Sequence, residues 1–181
     1  MREVTLFIAM SLDGYIADEN GGVDWLNAEA PEDPGEDLYE AFIQNIDTIL
    51  MGWKTYHQIV TELSPQEWPY PDQQTYVFTH REMPSSEKTA FIREDPASFV
   101  KKLKETEGKG IWICGGASLA GRLLNADLVD CLDLTILPVL LGNGISLFQN
   151  EIRRIALQLE TAQKLRGMVH LVYRRSGFQD A

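Results

Sequence analysis

Ile111-Trp112-Ile113-Cys114-Gly115-Gly116-Ala117-Ser118-Leu119 is an apolar run that breaks at two glycines and resumes in a different rhythm. Ile111–Cys114 reads as a buried strand, and Ala117–Asn125 as the helix that follows it. The same strand-to-helix step recurs upstream. Thr48–Met51 is apolar, ends at Gly52 and passes into a short helix over Lys54–Thr61. Thr75–Thr79 and Thr89–Ile92 read as strands, and Pro96 suits the first turn of a helix running to about Glu107, stopped by Gly108 and Gly110. Residues 3–10 form a strand apolar on both faces, as in a parallel sheet. Asp37–Ile46 carries a helical stripe at Leu38, Phe42, Ile43 and Ile46, with its cap near Glu36 or Gly35. Downstream, Cys131–Leu137 is a strand closed by Pro138 and the Gly142-Asn143-Gly144 turn. Ala156–Lys164 and Met168–Arg175 alternate and join around Arg166-Gly167, the pattern of an antiparallel hairpin.

Strands alternating with helices predict the α/β class: a central, mostly parallel sheet flanked by helices, with the C-terminal hairpin at one edge. There is no repeat and no linker, so residues 1–181 are expected to form one domain. The polar stretch between the first strand and the Asp37 helix is punctuated by Gly14, Gly21, Gly22, Pro31, Pro34 and Gly35. A loop of that length is often functional.

Composition narrows the function classes. The 181 residues have ordinary apolar and charged fractions, which excludes disordered and fibrous classes. The apolar run Val4–Met10 is too short for a signal sequence, and no stretch approaches a membrane span, so a cytoplasmic location is the expectation. Cys114 and Cys131 read as core hydrophobes, and His57, His80 and His170 are scattered, so no metal site is expected. The net charge of −11 is unevenly spread: twelve acids and no base lie between Glu3 and Asp47, whereas acids and bases balance from Lys54 onward. Neither nucleic acid nor an anionic membrane suits such a chain. An anionic ligand would be held by the later segments.

Three strand ends carry small residues where the next helix is expected to begin: Gly52 before Trp53-Lys54-Thr55, Thr79 before His80-Arg81, and Gly115-Gly116 before Ala117-Ser118. In open α/β sheets ligands lie at the carboxyl ends of strands, and helix N-termini there bind phosphate. Ser118 and Thr55 offer hydroxyls, and Lys54 and Arg81 offer charge. The glycines match neither the G-x-G-x-x-G fingerprint nor a Walker loop, so a nucleotide would be held in another way.

Ser11-Leu12-Asp13-Gly14-Tyr15-Ile16-Ala17, Met51-Gly52-Trp53-Lys54-Thr55-Tyr56 and Ile113-Cys114-Gly115-Gly116-Ala117-Ser118-Leu119, with Leu140-Leu141-Gly142-Asn143-Gly144 following, resemble the reductase domain of the riboflavin-biosynthesis deaminase/reductase and its dihydrofolate-reductase-like relatives. The resemblance runs over nearly the whole chain. It implies a dihydrofolate-reductase-like fold, an NAD(P)H-dependent oxidoreductase and NADPH as cofactor. Gly52, Trp53, Lys54 and Thr55 would meet the phosphates, Thr79, His80 and Arg81 the adenosine side, and Gly115, Gly116, Ala117, Ser118 and Leu119 the pyrophosphate. Ala9, Asp13, Gly14 and Ile16 would lie by the nicotinamide. A cis peptide between Gly115 and Gly116 is implied as well, and relatives of this kind are often homodimers.

Two departures matter. Trp53 stands where the family often carries an arginine for the 2′-phosphate, which leaves NADH possible beside NADPH and gives Arg81 or Lys54 that task. No cation lies between Lys54 and Arg81, where dihydrofolate reductases hold the folate tail; Asp72 and Gln73 stand there, so folate is a poor substrate. For the proton, Asp37 occupies roughly the place of the pterin-binding carboxylate of those enzymes, with Glu36 nearly equivalent; either is also an ordinary acid at a helix start. Trp25 and Leu26 are candidates for a lid over a small-molecule substrate. Tyr39 and Phe148 suit core better than cleft. The expected reaction is hydride transfer to a pterin- or pyrimidine-like ring, the nearest named activity being 5-amino-6-(5-phosphoribosylamino)uracil reductase. The alternative is a nucleotide-binding or regulatory protein that keeps the fold without catalysis.

Overall fold

The computed structural model describes residues 1–28, 38–149, 152–165 and 167–176. Among them the strands are β1 (Val4–Ser11), β2 (Tyr15–Ala17), β3 (Ile46–Gly52), β4 (Gln74–Phe78), β5 (Thr89–Ile92), β6 (Gly110–Gly115), β7 (Cys131–Leu137), β8 (Ile145–Ser146), β9 (Leu157–Leu165) and β10 (Met168–Arg175). The helices are α1 (Trp25–Ala28), α2 (Leu38–Ile43), α3 (Trp53–Gln58), α4 (Pro96–Lys104) and α5 (Ala117–Asn125). The main sheet has the order β5-β4-β3-β6-β1-β7-β10-β9, parallel from β5 to β7, with β10 and β9 added antiparallel. This is the α/β architecture expected from the sequence. The small β2–β8 pair was not legible: each strand is two or three residues long, too short for a periodic signal.

The central parallel strands β1, β3 and β6 are largely buried on both faces, which is why they read as apolar runs. Val4, Leu6, Leu50, Ile111, Ile113, Leu132 and Leu134 pack under α4 and α5 against Val100, Leu119, Ala120, Leu123 and Leu124. The alternate residues Ile49, Met51, Val77 and Trp112 form a second core with Ile59, flanked by Phe7, Phe42, Tyr56, Trp68, Tyr70 and Phe91. That second face is aromatic and only partly covered.

Several boundaries differ from the sequence reading for local reasons. The stripe expected over Asp37–Ile46 yields a helix only to Ile43, because the Asn45 N–H closes a turn on Phe42 O at 3.0 Å and Ile46 pairs with Gly110 in the sheet. α3 gives way at Ile59–Leu63 to a π-helical turn, closed by Ser64 N–H on Ile59 O at 2.8 Å. α4 stops at Lys104, whose carbonyl accepts the Arg2 N–H at 3.0 Å, while Thr106 Oγ1 donates to Leu103 O at 2.8 Å. Among the described residues no helix is long and apolar enough to cross a membrane.

Candidate functional site

The sheet brings the carboxyl ends of β3, β4 and β6 side by side, with Met51 opposite Gly115 and Gly52 opposite Phe78. A Cβ on Gly52 would stand 3.9 Å from the amide nitrogen of Gly116. One on Gly115 would stand 3.3 Å from Thr55 Oγ1, and one on Gly116 3.5 Å from the same oxygen. Two turns therefore meet backbone to backbone, with the Thr55 hydroxyl between them. Gly115 has φ +148°, a conformation that favours glycine. The Gly115–Gly116 peptide is cis, as the resemblance implies.

Gly116 is also the N-cap of α5 and has no side chain to accept from the first helical N–H groups. Those donors are left to bind an anion. Ser118 is exposed in the first turn, while Ala117 and Leu119 are 3% and 5% exposed and pack into the core. Ala117 and Leu119 can thus offer a ligand only their backbone.

The second wall is cationic. The guanidinium carbon of Arg81 lies 4.9 Å from the centroid of the Trp53 ring, within the range of a cation–π contact. The Arg81 N–H donates to Thr79 Oγ1 at 3.1 Å, which turns the chain after β4. Trp53 is itself flanked by Tyr56, His57 and Phe91 at centroid distances of 5.8, 5.5 and 6.5 Å. Lys54, His80 and Arg81 are exposed. Among the described residues Arg81 makes no ion pair, so its charge is available to a ligand.

Ala9 stands near the end of β1, directly before a rigid turn. Ser11 Oγ donates to Asp13 Oδ1 at 2.6 Å and accepts the Tyr15 N–H at 2.9 Å. Asp13 also accepts the N–H groups of Leu141 at 3.2 Å and Gly142 at 2.7 Å. The Ser11 hydroxyl foremost, then these backbone donors, hold the Asp13 carboxyl below its usual range. Asp13 is therefore a strut between two loops, and its carboxylate is already spent. Gly14 adopts φ +85° in this turn, and its carbonyl accepts the Leu147 N–H at 2.9 Å. Ile16, half-buried, packs against the first core.

Trp25 and Leu26 begin α1 and are half-buried. The indole nitrogen of Trp25 is buried and has no hydrogen-bond partner among the described residues. Gln58 Nε2 donates to Gly21 O at 2.9 Å and ties this loop to α3. Asp37 and Glu36 lie outside the described residues. Tyr39 and Phe148, expected in the core, are instead 38% and 41% exposed; Tyr39 sits on the outer side of the aromatic face formed by Phe7, Phe42 and Trp112. The sequence reading also passed over Tyr70. Its hydroxyl lies 3.9 Å from Cys114 Sγ, just before the glycine pair. Pro65, Pro69 and Pro71 mark a loop in the sequence, which gives no sign of a packed role for the residue between the last two.

A backbone cradle and an uncapped helix start, set at the ends of parallel strands beside an unpaired arginine, fit the phosphates of a dinucleotide. Together with the antiparallel hairpin they define a dihydrofolate-reductase-like domain. Residues 2–171 match the RibD C-terminal domain, and the chain belongs to that family. It is 38% identical over 97% of its length to the uncharacterized protein YwjB of Bacillus subtilis, covering 99% of that protein. It is 27% identical to the riboflavin biosynthesis protein RibD of Corynebacterium ammoniagenes over 79% of this chain, but over only 45% of that longer protein. Among solved structures, a putative riboflavin biosynthesis protein from Shewanella superposes with a TM-score of 0.83 at 25% identity, covering 97% of this chain and 99% of that one. The deaminase/5-amino-6-(5-phosphoribosylamino)uracil reductase of Thermotoga maritima gives 0.70 at 15% identity, over 96% of this chain and 56% of that one, which is a likeness of fold.

Proposed function

We propose that this chain is an NADPH-dependent reductase that transfers hydride to a small, planar, pyrimidine- or pterin-like ring, the nearest named reaction being the reduction of 5-amino-6-(5-phosphoribosylamino)uracil. The observation that carries the reading is the Gly52/Gly115-Gly116 cradle at the start of α5, with Arg81 beside it. When bound, the nicotinamide supplies the hydride. The chain supplies position and charge. The first N–H groups of α5, with the hydroxyls of Ser118 and Thr55, bind the diphosphate. Arg81, held over the Trp53 ring, binds the 2′-phosphate in place of the arginine that Trp53 displaces. Ala9 leaves room for the nicotinamide ring beside β1, and Trp25 and Leu26 close over the acceptor. A carboxyl at Asp37 or Glu36 delivers the proton.

Titration of the protein with NADPH and NADH, followed by tryptophan fluorescence, tests this. NADPH is expected to bind more tightly, and Arg81→Glu to weaken NADPH by about tenfold or more while changing NADH little. Absence of binding by either dinucleotide up to about millimolar concentration, the weak end of measurable affinity, removes the reading.

In the same proposal the protein is a homodimer through its hairpin. β9 is an edge strand, and its Leu157 and Leu159 are 39% and 50% exposed, apolar side chains on an edge that invites pairing. Sedimentation equilibrium is expected to give twice the chain mass, and Leu159→Lys the monomer. A monomeric wild type discards the dimer and leaves the reductase reading in place.

A further inference from the structure

Tyr70 sits in a loop between Pro69 and Pro71, whose rings fix the backbone on either side. Its ring is held edge-on by Trp68, with centroids 5.4 Å apart and planes at 86°, and by Trp112 at 5.4 Å and 85°. Two such contacts fix where the phenol oxygen stands. Trp112 spends its own indole N–H on the Phe7 carbonyl at 2.9 Å. The Tyr70 hydroxyl does not spend its capacity in the same way. Among the described residues its hydrogen-bond partner is the thiol of Cys114 at 3.9 Å, and sulfur is a weak partner at such a length. A rigid, half-buried hydroxyl with a poor partner is a donor waiting for a better acceptor.

Its location gives that acceptor an address. Cys114 directly precedes the Gly115–Gly116 turn, so the hydroxyl stands on the aromatic face next to the cradle. Phe7 and Phe42 are stacked there at 4.2 Å, with Tyr39 and Trp112 around them. Flat aromatic walls suit a flat ring. Burial, foremost, pushes the Tyr70 phenol well above its usual range, so it stays a donor at neutral pH. The Cys114 thiol is pushed up to about 12, again by burial, which keeps it a neutral neighbour.

We propose that Tyr70 is a specificity-determining residue: its hydroxyl leaves the Cys114 thiol and donates a hydrogen bond to a carbonyl oxygen or ring nitrogen on the edge of a planar heterocyclic substrate. The proposal rests on the reductase reading above and names the group that selects the acceptor. A ring that presents only C–H at that edge would leave the hydroxyl buried against it and be rejected.

The test uses the whole chain saturated with NADP+, which has no hydride to give, titrated with 5-amino-6-(5-phosphoribosylamino)uracil while tryptophan fluorescence is followed. Tyr70→Phe is expected to weaken pyrimidine binding by about tenfold, one good hydrogen bond, with NADPH affinity and melting temperature unchanged. Cys114→Ala removes the resting partner and is expected to bind the pyrimidine at least as tightly; this arm stands even if Tyr70→Phe folds poorly. Equal affinity in Tyr70→Phe, or a matching loss in Cys114→Ala, means that the pair is only a structural tie and overturns the proposal. NADPH binding without any pyrimidine binding overturns it too, while leaving the cofactor reading intact. If NADPH itself fails to bind, both fall together.

Discussion

Gly116→Asp is expected to abolish dinucleotide binding while leaving the fold at least as stable. Gly116 has φ −92° and ψ −172°, extended backbone that any residue adopts. A Cβ there meets Thr55 Oγ1 at 3.5 Å, an ordinary van der Waals contact. The new side chain therefore fits. What changes is the use of the helix start. An aspartate at an N-cap accepts from the second or third helical N–H, which stabilises the helix over glycine by roughly a few tenths of a kcal/mol. Those are the donors a diphosphate needs. The carboxylate would occupy them and repel the phosphates, so NADPH affinity should fall by about a hundredfold or more. Fluorescence titration reads the affinity, and a thermal melt reads the stability. Gly116→Ala separates charge from bulk: it should fold and keep much of the affinity. If Gly116→Asp binds NADPH as the wild type does, the cradle is not the cofactor site.

Much of the fold was legible because its central parallel strands are largely buried on both faces. An unbroken apolar run of four to eight residues, ended by glycine, leaves few other readings. Ala117–Asn125, Cys131–Leu137 and Thr89–Ile92 carry the same limits in sequence and structure. The misplaced boundaries are those set by contacts far along the chain. α4 ends where Arg2 caps it, and α2 ends where Gly110 claims the next backbone pair. No local pattern encodes a partner about sixty to a hundred residues away, and loop closure of that kind is fixed only by the assembled sheet.

The candidate site was legible to the extent that it is made of backbone. Glycine pairs at strand ends mark close approach, and Gly52, Gly115 and Gly116 do come together. Side-chain roles were harder to read. Nothing near Asp13 in the sequence shows that its carboxylate braces Leu141 and Gly142, a partnership that depends on β7 returning next to β1. The Arg81–Trp53 stack joins the ends of two different strands, which adjacent registers alone create. Tyr70 escaped notice because prolines on both sides mark a loop, and a loop residue is not expected to complete an aromatic face.

Away from the site, Lys104→Met is expected to destabilise the protein by about 3–5 kcal/mol, the cost of breaking a buried ion pair from one side. Lys104 ends α4 with 5% exposure, and its ammonium donates to Asp130 Oδ2. The same oxygen accepts the Val4 N–H at 2.8 Å, while Asp130 Oδ1 is buried with no partner among the described residues. The Asp130 backbone continues the tie, donating to Val4 O at 2.9 Å and accepting from Arg175 N–H at 3.2 Å. One carboxylate thus joins α4 to the first strand, and the backbone on either side of it reaches the last. Methionine keeps the length of the lysine stem but leaves the charge buried alone. For a chain of this size the melting temperature should drop by on the order of 10 °C. Lys104→Met/Asp130→Asn keeps an oxygen for Val4 and removes the stranded charge, so the double variant should be more stable than Lys104→Met alone. Urea unfolding of these two variants and of Asp130→Asn alone measures the coupling. A double variant as unstable as the sum of its parts would mean that the pair contributes no coupling, and that the lysine stem matters through packing instead.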